Sequence, residues 1–317
     1  MSEISQSVSE FLYLHFFKQK YLMSITKITA VDSISFSEKL KCYAEMYKLK
    51  LTSFVVVSAI MGYFIGGGSF NLTTLVLLVV GGFLITCTSN ALNQVIEKDH
   101  DKLMKRTMTR PLPQNKLSVK EVIWVSSTIG IVGIVMLSML NPLTGILGAL
   151  AIFMYVALYT PLKRVSTVSV FVGAFPGAFP PMLGWVAATG SFSVEAGILF
   201  AMQFIWQFPH FWAIAWKIND QYVKAGFKML PFGKKDKRTA IMILVSSLAL
   251  FAASVLPEFI GFTGRIATVG LFVFSALMVF PAIKLVQTLE DKFALRIMLM
   301  SYLYLILSLT IILIDKT

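Results

Sequence analysis

Acidic side chains are scarce in this chain of 317 residues: 16 Asp and Glu stand against 28 Lys and Arg, and charged residues of both signs make up only 14%. Soluble domains carry about a quarter of their residues charged. With 56% hydrophobic residues and a mean hydropathy of +0.76, this composition excludes a soluble domain and indicates an integral membrane protein. Cysteine is nearly absent. Cys42 and Cys87 form no C-x-x-C and no metal-ligand spacing, which excludes a disulfide framework and a zinc or iron–sulfur site. The histidines are His15, His100 and His210 alone. A net charge of +12 would point to nucleic acid in a soluble protein. In a membrane protein the cations collect in cytoplasmic loops, so the excess reads as topology and as a phosphate-attracting surface, with no nucleic-acid partner.

Signals for export are also missing. Residues 1–34 lack a basic stretch followed by an apolar run and a small-residue cleavage site, which argues against a cleavable signal peptide. They contain no Arg and carry Glu3, Glu10 and Asp32, unlike a mitochondrial transit peptide, so a bacterial cytoplasmic (inner) membrane is expected. Ser35 to Lys50 reads as an amphipathic helix on the membrane surface, with Phe36, Leu40, Tyr43 and Met46 on one side and Lys41, Glu45 and Lys48 on the other. Residues 1–50 therefore form a cytoplasmic N-terminal segment, and 51–317 a transmembrane domain.

What the chain has in abundance is long apolar runs. They fall at about 51–69, 73–96, 119–139, 143–160, 166–188, 194–216, 239–257, 263–285 and 294–314, each near the length that crosses hydrocarbon, so the expected fold is an all-α bundle of nine transmembrane helices. Cations follow every second run: Lys98 to Lys120 after the second, Lys163 and Arg164 after the fourth, Lys217 to Arg238 after the sixth, Lys284 to Arg296 around the turn after the eighth. The turns between, such as GGGSFNLT and ATGSFS, hold almost none. The positive-inside rule then places the N-terminus and every charged loop in the cytoplasm and the C-terminus outside. GGGS at Gly66 to Ser69 lacks the Lys-Ser/Thr ending of a phosphate loop and is read as a turn.

The most informative stretch is NALNQVIEKDHDKLMKRTMTRPLP, Asn90 to Pro113. Asn93, Glu97 and Asp101 are spaced i, i+4, i+8, and a four-residue step turns a helix only about 40° past a full circle, so the three share one face. Asp99 adds a fourth oxygen ligand if the helix loosens there, and Arg106 and Arg110 follow one turn apart. Carboxylates beside guanidinium groups suit a divalent cation, Mg²⁺, held against a phosphate-like ligand. Anchoring a span to the membrane surface would need the cations but gains nothing from a row of acids.

A second constellation lies on spans five and six. GAFPGAFPPMLGW, Gly173 to Trp185, carries Gly173 and Gly177 at a spacing that lets another helix approach, and Pro176, Pro180 and Pro181 that bend the span and free carbonyls. On span six, Gln203, Gln207, His210, Lys217 and Gln221 fall within about 80° of one another on an ideal helix. Such a polar stripe faces a cavity or a partner helix, and a histidine hydrogen-bonded between helices is the alternative to a functional His210. Asp220 stands near the charged end, where it supplies a second acid opposite those on span two.

Together these residues resemble the intramembrane prenyltransferases of the UbiA superfamily. The family's N-x-x-x-D-x-x-x-D followed by R-T-x-x-R-P is matched by Asn93, Glu97, Asp101 and Arg106 to Pro111, Glu97 standing where the family usually has Asp. YTPLKR at Tyr159 to Arg164, the GAFPGAFPPMLGW stretch, WQFPHFWAIAW from Trp206 to Trp216 and DQYVKAGFKMLP from Asp220 to Pro231 are more specific, and the WQFPHFWA block separates the haem branch from the quinone branch. Where the family commonly pairs two acids before the Tyr, the second here is Gln221.

The resemblance implies a central cavity open to the cytoplasm. It also implies transfer of the farnesyl group of farnesyl diphosphate to a vinyl group of haem B, with addition of water, giving haem O. Asn93, Glu97, Asp101 and Asp220 would be the catalytic set, the first three holding Mg²⁺; Arg106, Arg110, Lys163 and Arg164 would bind diphosphate and His210 haem. Partners would be the lipid bilayer and, for hand-over, a haem A synthase or a terminal oxidase. A prenyltransferase acting on a quinone precursor, or a transporter with broken helices, are the rival readings; no second copy of the span-two motif supports a repeat of the transporter kind.

Overall fold

A computed structural model describes residues 34–317. The expectations for a leader and for the location of the N-terminus fall outside the described residues. The described chain is helical: α1 (Phe36–Met46), α2 (Leu49–Ile65), α3 (Leu72–Asp101), α4 (Val119–Ser138), α5 (Pro142–Phe153), a π-helix (Met154–Tyr159), α6 (Thr160–Val165), α7 (Ser169–Thr189), α8 (Val194–Lys217), α9 (Asn219–Lys224), α10 (Lys237–Ala253), α11 (Leu256–Phe259), α12 (Arg265–Thr288) and α13 (Asp291–Asp315). Among the described residues eight spans are long and apolar enough to cross a membrane, and nine if α1 and α2, bent by 52° at their junction, are counted together as one more. The nine apolar runs read from the sequence are these spans.

The helices start where short polar side chains close their first turn. Asn71 accepts from the Thr74 N–H, Ser118 from Glu121, Asn141 from Thr144, Ser193 from Ala196 and Asp236 from Thr239. Each cap satisfies an orphan donor of the helix N-terminus and contributes on the order of 1 kcal/mol. The bend between α1 and α2 has a different origin. Lys48 takes a left-handed conformation (φ 48°) and interrupts the helix. Its side chain turns inward to the Asn90 Oδ1 (3.2 Å), where the sequence pattern expected it on the solvent face.

Packing divides the bundle into two halves. In the first, α2 packs on α3 and α7, α3 on α4, and α5 on α4 and α7, around Leu78, Ile85, Leu137, Phe179 and Leu183. In the second, α8, α10, α12 and α13 enclose Trp206, Trp216, Ile243, Leu250, Met278 and Ile297. The halves meet at α7–α8 and at α2–α13. Along the α7–α8 seam, Phe171, Phe175 and Phe179 interleave with Phe200, Phe204, Phe208 and Trp212. The ring centroids, 4.9 Å or more apart, follow the edge-to-face and offset geometries that aromatic quadrupoles favour.

The closest backbone approach is at α2–α7, and it uses glycines other than the pair singled out by spacing. A Cβ on Gly184 would fall against the Ala59 carbonyl oxygen and 2.7 Å from the Tyr63 nitrogen; one on Gly62 would fall against the Pro181 carbonyl. Gly173 and Gly177 instead make room for side chains, the Tyr159 ring and the Gln207 amide. Backbone atoms cannot move aside as a side chain can. Gly184→Val is therefore expected to destabilise the protein by about 1–3 kcal/mol, read as a lowered Tm in detergent. Gly197→Ala, where nothing lies within 4 Å, removes a flexible residue from α8 and is expected not to lower the Tm.

Candidate active site

The site is built at the end of α3. This helix has 30 residues, about 45 Å at 1.5 Å per residue, so it exceeds a hydrocarbon core of about 30 Å and carries its last turns past the apolar region. Asn90, Asn93, Gln94, Glu97 and Asp101 are all buried, on the face it turns to the bundle. The helix stays regular through Asp101, so Asp99 points away: its side chain is 81% exposed and pairs with Lys102 at 2.7 Å. It is not part of the cluster.

Each buried acid meets a cation from a different segment. Asp101 Oδ2 accepts from Arg110 Nη1 (2.7 Å), the loop being folded back by the Thr107 hydroxyl donating to the Asp101 carbonyl (2.9 Å). Glu97 Oε1 pairs with Lys163 Nζ (2.5 Å). Asn93 Nδ2 donates to Thr160 Oγ1 (3.0 Å), so the three predicted residues of α3 contact the YTPLKR stretch and the RTMTRP loop between them. Charges removed from water this way persist only when paired.

The π-helix positions the YTPLKR side. Pro161 has no N–H, and its ring would press on the carbonyl four residues earlier in a regular helix. The wider turn relieves this, with the Thr160 N–H reaching the Tyr155 carbonyl five residues back and its hydroxyl donating to the same oxygen (2.7 Å). That orientation brings Thr160 to Asn93 and Lys163 to Glu97. Tyr159 lies against Lys163 (4.5 Å from Nζ to the ring centroid), and Tyr155 lies 5.2 Å from Tyr159. Gln221, at the place of the missing second acid, accepts from the Arg106 N–H (3.3 Å). Asp220 is exposed and makes no hydrogen bond or ion pair among the described residues, so the structure does not bring it into the cluster. Arg106 and Arg164 are exposed beside it.

The donor set fits a hard divalent cation. Asp101 Oδ1 is buried and accepts no hydrogen bond, and Glu97 Oε1 is buried against Lys163 Nζ alone. Among the described residues no group of three His, Cys, Asp or Glu forms a ready-made metal cage. Two carboxylates and an amide oxygen suit Mg²⁺, which keeps several waters and takes substrate oxygens in preference to an all-protein cage.

His210 stands apart from these charges, on α8. Its ring stacks on Trp206 (centroids 4.6 Å, 14°) and its Nδ1 lies 2.7 Å from Ser301 Oγ on α13. The Ser301 hydroxyl already donates to the Met298 carbonyl (2.6 Å), so Nδ1 carries the proton and Nε2 keeps its lone pair. The polar stripe on α8 is thus divided between neighbours, Gln207 bonding the Ala174 carbonyl on α7 (2.9 Å) and His210 bonding α13. Motif spacing had placed Gln221 on the polar stripe and at the position of the second acid, but had not singled out Lys48, His100, Tyr155 or Thr160 as site residues. Of these four only Thr160, inside the quoted YTPLKR, left a readable signal.

The profile of the UbiA prenyltransferase family matches residues 55–307. A protein of Flavobacterium psychrophilum named protoheme IX farnesyltransferase is 47% identical over 282 residues, which cover 86% of this chain and 94% of that protein. Among solved structures, a digeranylgeranylglyceryl phosphate synthase superposes with a TM-score of 0.74 at 18% identity, over 88% of this chain and 98% of its own. A UbiA homologue from Archaeoglobus fulgidus bound to DMAPP and Mg²⁺ does so with 0.58 at 14% identity, over 85% of this chain and 98% of its own. The helical fold, the matched profile and the near-full-length identity lead to one assignment: the chain belongs to the UbiA prenyltransferase family.

Proposed function

We propose that this multi-pass membrane protein is an enzyme that transfers the farnesyl group of farnesyl diphosphate to a vinyl group of haem B. The bond from farnesyl C1 to the diphosphate oxygen breaks, C1 bonds to the terminal vinyl carbon, and water adds to the neighbouring carbon with loss of a proton, giving haem O and diphosphate. The observation that carries this is the 47% identity to a protoheme IX farnesyltransferase across 94% of its length. A quinone-directed prenyltransferase would share the α3 cluster but not the WQFPHFWA block. Turnover of purified protein with farnesyl diphosphate, haem B and Mg²⁺ tests it; haem B recovered unchanged, with an aromatic acid prenylated in its place, would overturn it.

Ionising an allylic diphosphate requires the leaving group's charge to be neutralised as it develops. Asn93, Glu97 and Asp101 would hold Mg²⁺, which supplies Lewis-acid neutralisation of the diphosphate. Lys163 and Arg110 rest on Glu97 and Asp101, which keeps them at the site in fixed positions until a more highly charged anion arrives. Arg106 and Arg164 add charge at the mouth. Tyr155, Tyr159 and the surrounding spans exclude water from the allylic cation. His210, with a free Nε2 beside Trp206, would hold the haem iron and so orient one vinyl group. Asp220 is kept as a catalytic acid of this reading on the strength of the family pattern alone.

The membrane is the bacterial cytoplasmic membrane, with the α3 charged end and the N-terminus inside and the C-terminus outside, and the product passes to a haem A synthase or a terminal oxidase. Both native cysteines are buried, so introduced ones can be read against a low background. Cysteines placed at Lys105 and Lys235 are expected to react with an impermeant maleimide only from the cytoplasmic side, and one at Ser191 only from outside. The opposite labelling would invert the topology.

A further inference from the structure

His100 is the one histidine besides His210 among the described residues, and no motif uses it. It lies one residue before Asp101 at the end of α3. Its Nδ1 is 2.8 Å from the Ala225 carbonyl and its Nε2 is 3.0 Å from Arg164 Nη1. A guanidinium only donates, so Nε2 is the acceptor and the Nδ1–H donates to Ala225; the two partners together select one neutral tautomer. The ring also packs on Phe227 (5.4 Å between centroids, 40°).

This joins three segments that are far apart in the chain. The turn at Ala225 to Lys228 is held to the YTPLKR exit by the Lys228 N–H donating to the Lys163 carbonyl (2.7 Å) and by Lys228 Nζ donating to the Val165 carbonyl (3.1 Å). Gly226, at φ 79°, supplies the left-handed residue the turn requires. Phe227 lies between His100 and Lys163, 5.7 Å from Lys163 Nζ. From α3, His100 bonds both the α6 exit, at Arg164, and this turn, at Ala225.

The partner that Arg164 has is as informative as its position. Lys163 and Arg110 rest on carboxylates that cancel their charge. Arg164 makes no ion pair among the described residues, and an imidazole lone pair fixes its guanidinium without neutralising it. An exposed Arg otherwise carries rotamer entropy that is lost each time it is ordered on a ligand. Held by His100, its full charge stays available and much of that ordering is already done.

We propose that His100 is a positioning residue for the anionic ligand. It acts through Arg164, holding that cation at the mouth for the diphosphate of an allylic substrate, and it secures the Ala225–Lys228 turn beside it. The diphosphate as ligand rests on the function proposed above. His100→Phe keeps the ring against Phe227 and removes both hydrogen bonds, whereas His100→Gln keeps a donor and an acceptor. Binding of inorganic pyrophosphate, with Mg²⁺ and without haem, is measured for both variants, for Arg164→Ala and for His100→Phe/Arg164→Ala, followed by KM for farnesyl diphosphate and for haem. His100→Phe is expected to weaken pyrophosphate binding and raise the farnesyl diphosphate KM about 5–10-fold, with the haem KM unchanged. His100→Gln is expected to restore both, and the double variant to be no worse than Arg164→Ala, as for two residues acting through one interaction. Wild-type pyrophosphate binding in His100→Phe would overturn the proposal. So would additive losses in the double variant, or equal losses for both substrates without rescue by Gln. Pyrophosphate binding that depends on His100 and Arg164 in a protein that makes no haem O would leave this inference standing and overturn the farnesyl-transfer reading.

Discussion

Asp101→Asn is expected to lower turnover by about 10²–10³-fold, the scale on which enzymes lose rate when one preorganised electrostatic group is removed, and to flatten the Mg²⁺ titration. Asp101 is fully buried, gives one oxygen to Arg110 at 2.7 Å and has the other unbonded. Asn matches its shape but removes the charge that both Arg110 and a cation would need. Breaking a buried ion pair from one side also costs about 3–5 kcal/mol of stability, so the variant is compared as monodisperse protein at low temperature. Asp99→Asn is the control. It removes an acid two residues away whose side chain is 81% exposed and paired only with Lys102, and it should change neither quantity. Near-wild-type turnover and an unchanged Mg²⁺ titration in Asp101→Asn would remove the metal role from this cluster.

His210→Ala is expected to abolish transfer and the Soret shift on haem addition while competition by farnesyl diphosphate and its Mg²⁺ dependence stay nearly intact. The geometry behind this is the Nδ1–H donated to Ser301 and the ring stacked on Trp206, which leave Nε2 as the unbonded nitrogen of a fixed imidazole. Ser301→Ala loosens the ring without removing the ligand and should weaken haem binding about 10-fold, the lower end of what such supporting hydrogen bonds contribute. A histidine that serves only the packing of α8 on α13 predicts a different result. Folded protein is lost, both substrates are affected together, and the haem titration of whatever remains is unshifted from wild type.

The spans and the alternating charges between them were legible because they depend on local composition: a membrane demands a run of apolar residues whatever lies beside it. The acidic face of α3 was legible for a similar reason, being a spacing within one helix. Its partners were not. That Lys163 meets Glu97 depends on how α6 leaves the bundle, and the π-helix that sets this has no pattern in apolar spacing. Spacing put Asp101 on the acidic face and made Asp99 depend on a loosened helix; the helix stays continuous, which leaves Asp99 in water and Asp101 at 0% exposure. Spacing nominated Gly173 and Gly177, while the backbone contact falls to Gly62 and Gly184. The difference lies in which helix is opposite, and one helix's sequence does not state that. The polar stripe on α8 was real, but it serves two neighbours, and Asp220 lies exposed on the short helix α9.

The π-helix at Met154–Tyr159 makes the site sensitive to the length of the chain that leads into it. A π turn is an α-helix that has accepted one additional residue without breaking. Downstream of it the helix is out of phase by one residue, about 100° of rotation, so Thr160, Lys163 and Arg164 face a direction that no substitution in a regular helix would give them. Losing one residue from this stretch would leave hydropathy, length and span count almost untouched, and the chain would still pass for the same membrane protein. It would also turn the YTPLKR side chains away from Asn93 and Glu97. At this point the register of the chain, as much as the identity of its residues, assembles the two halves of the cluster.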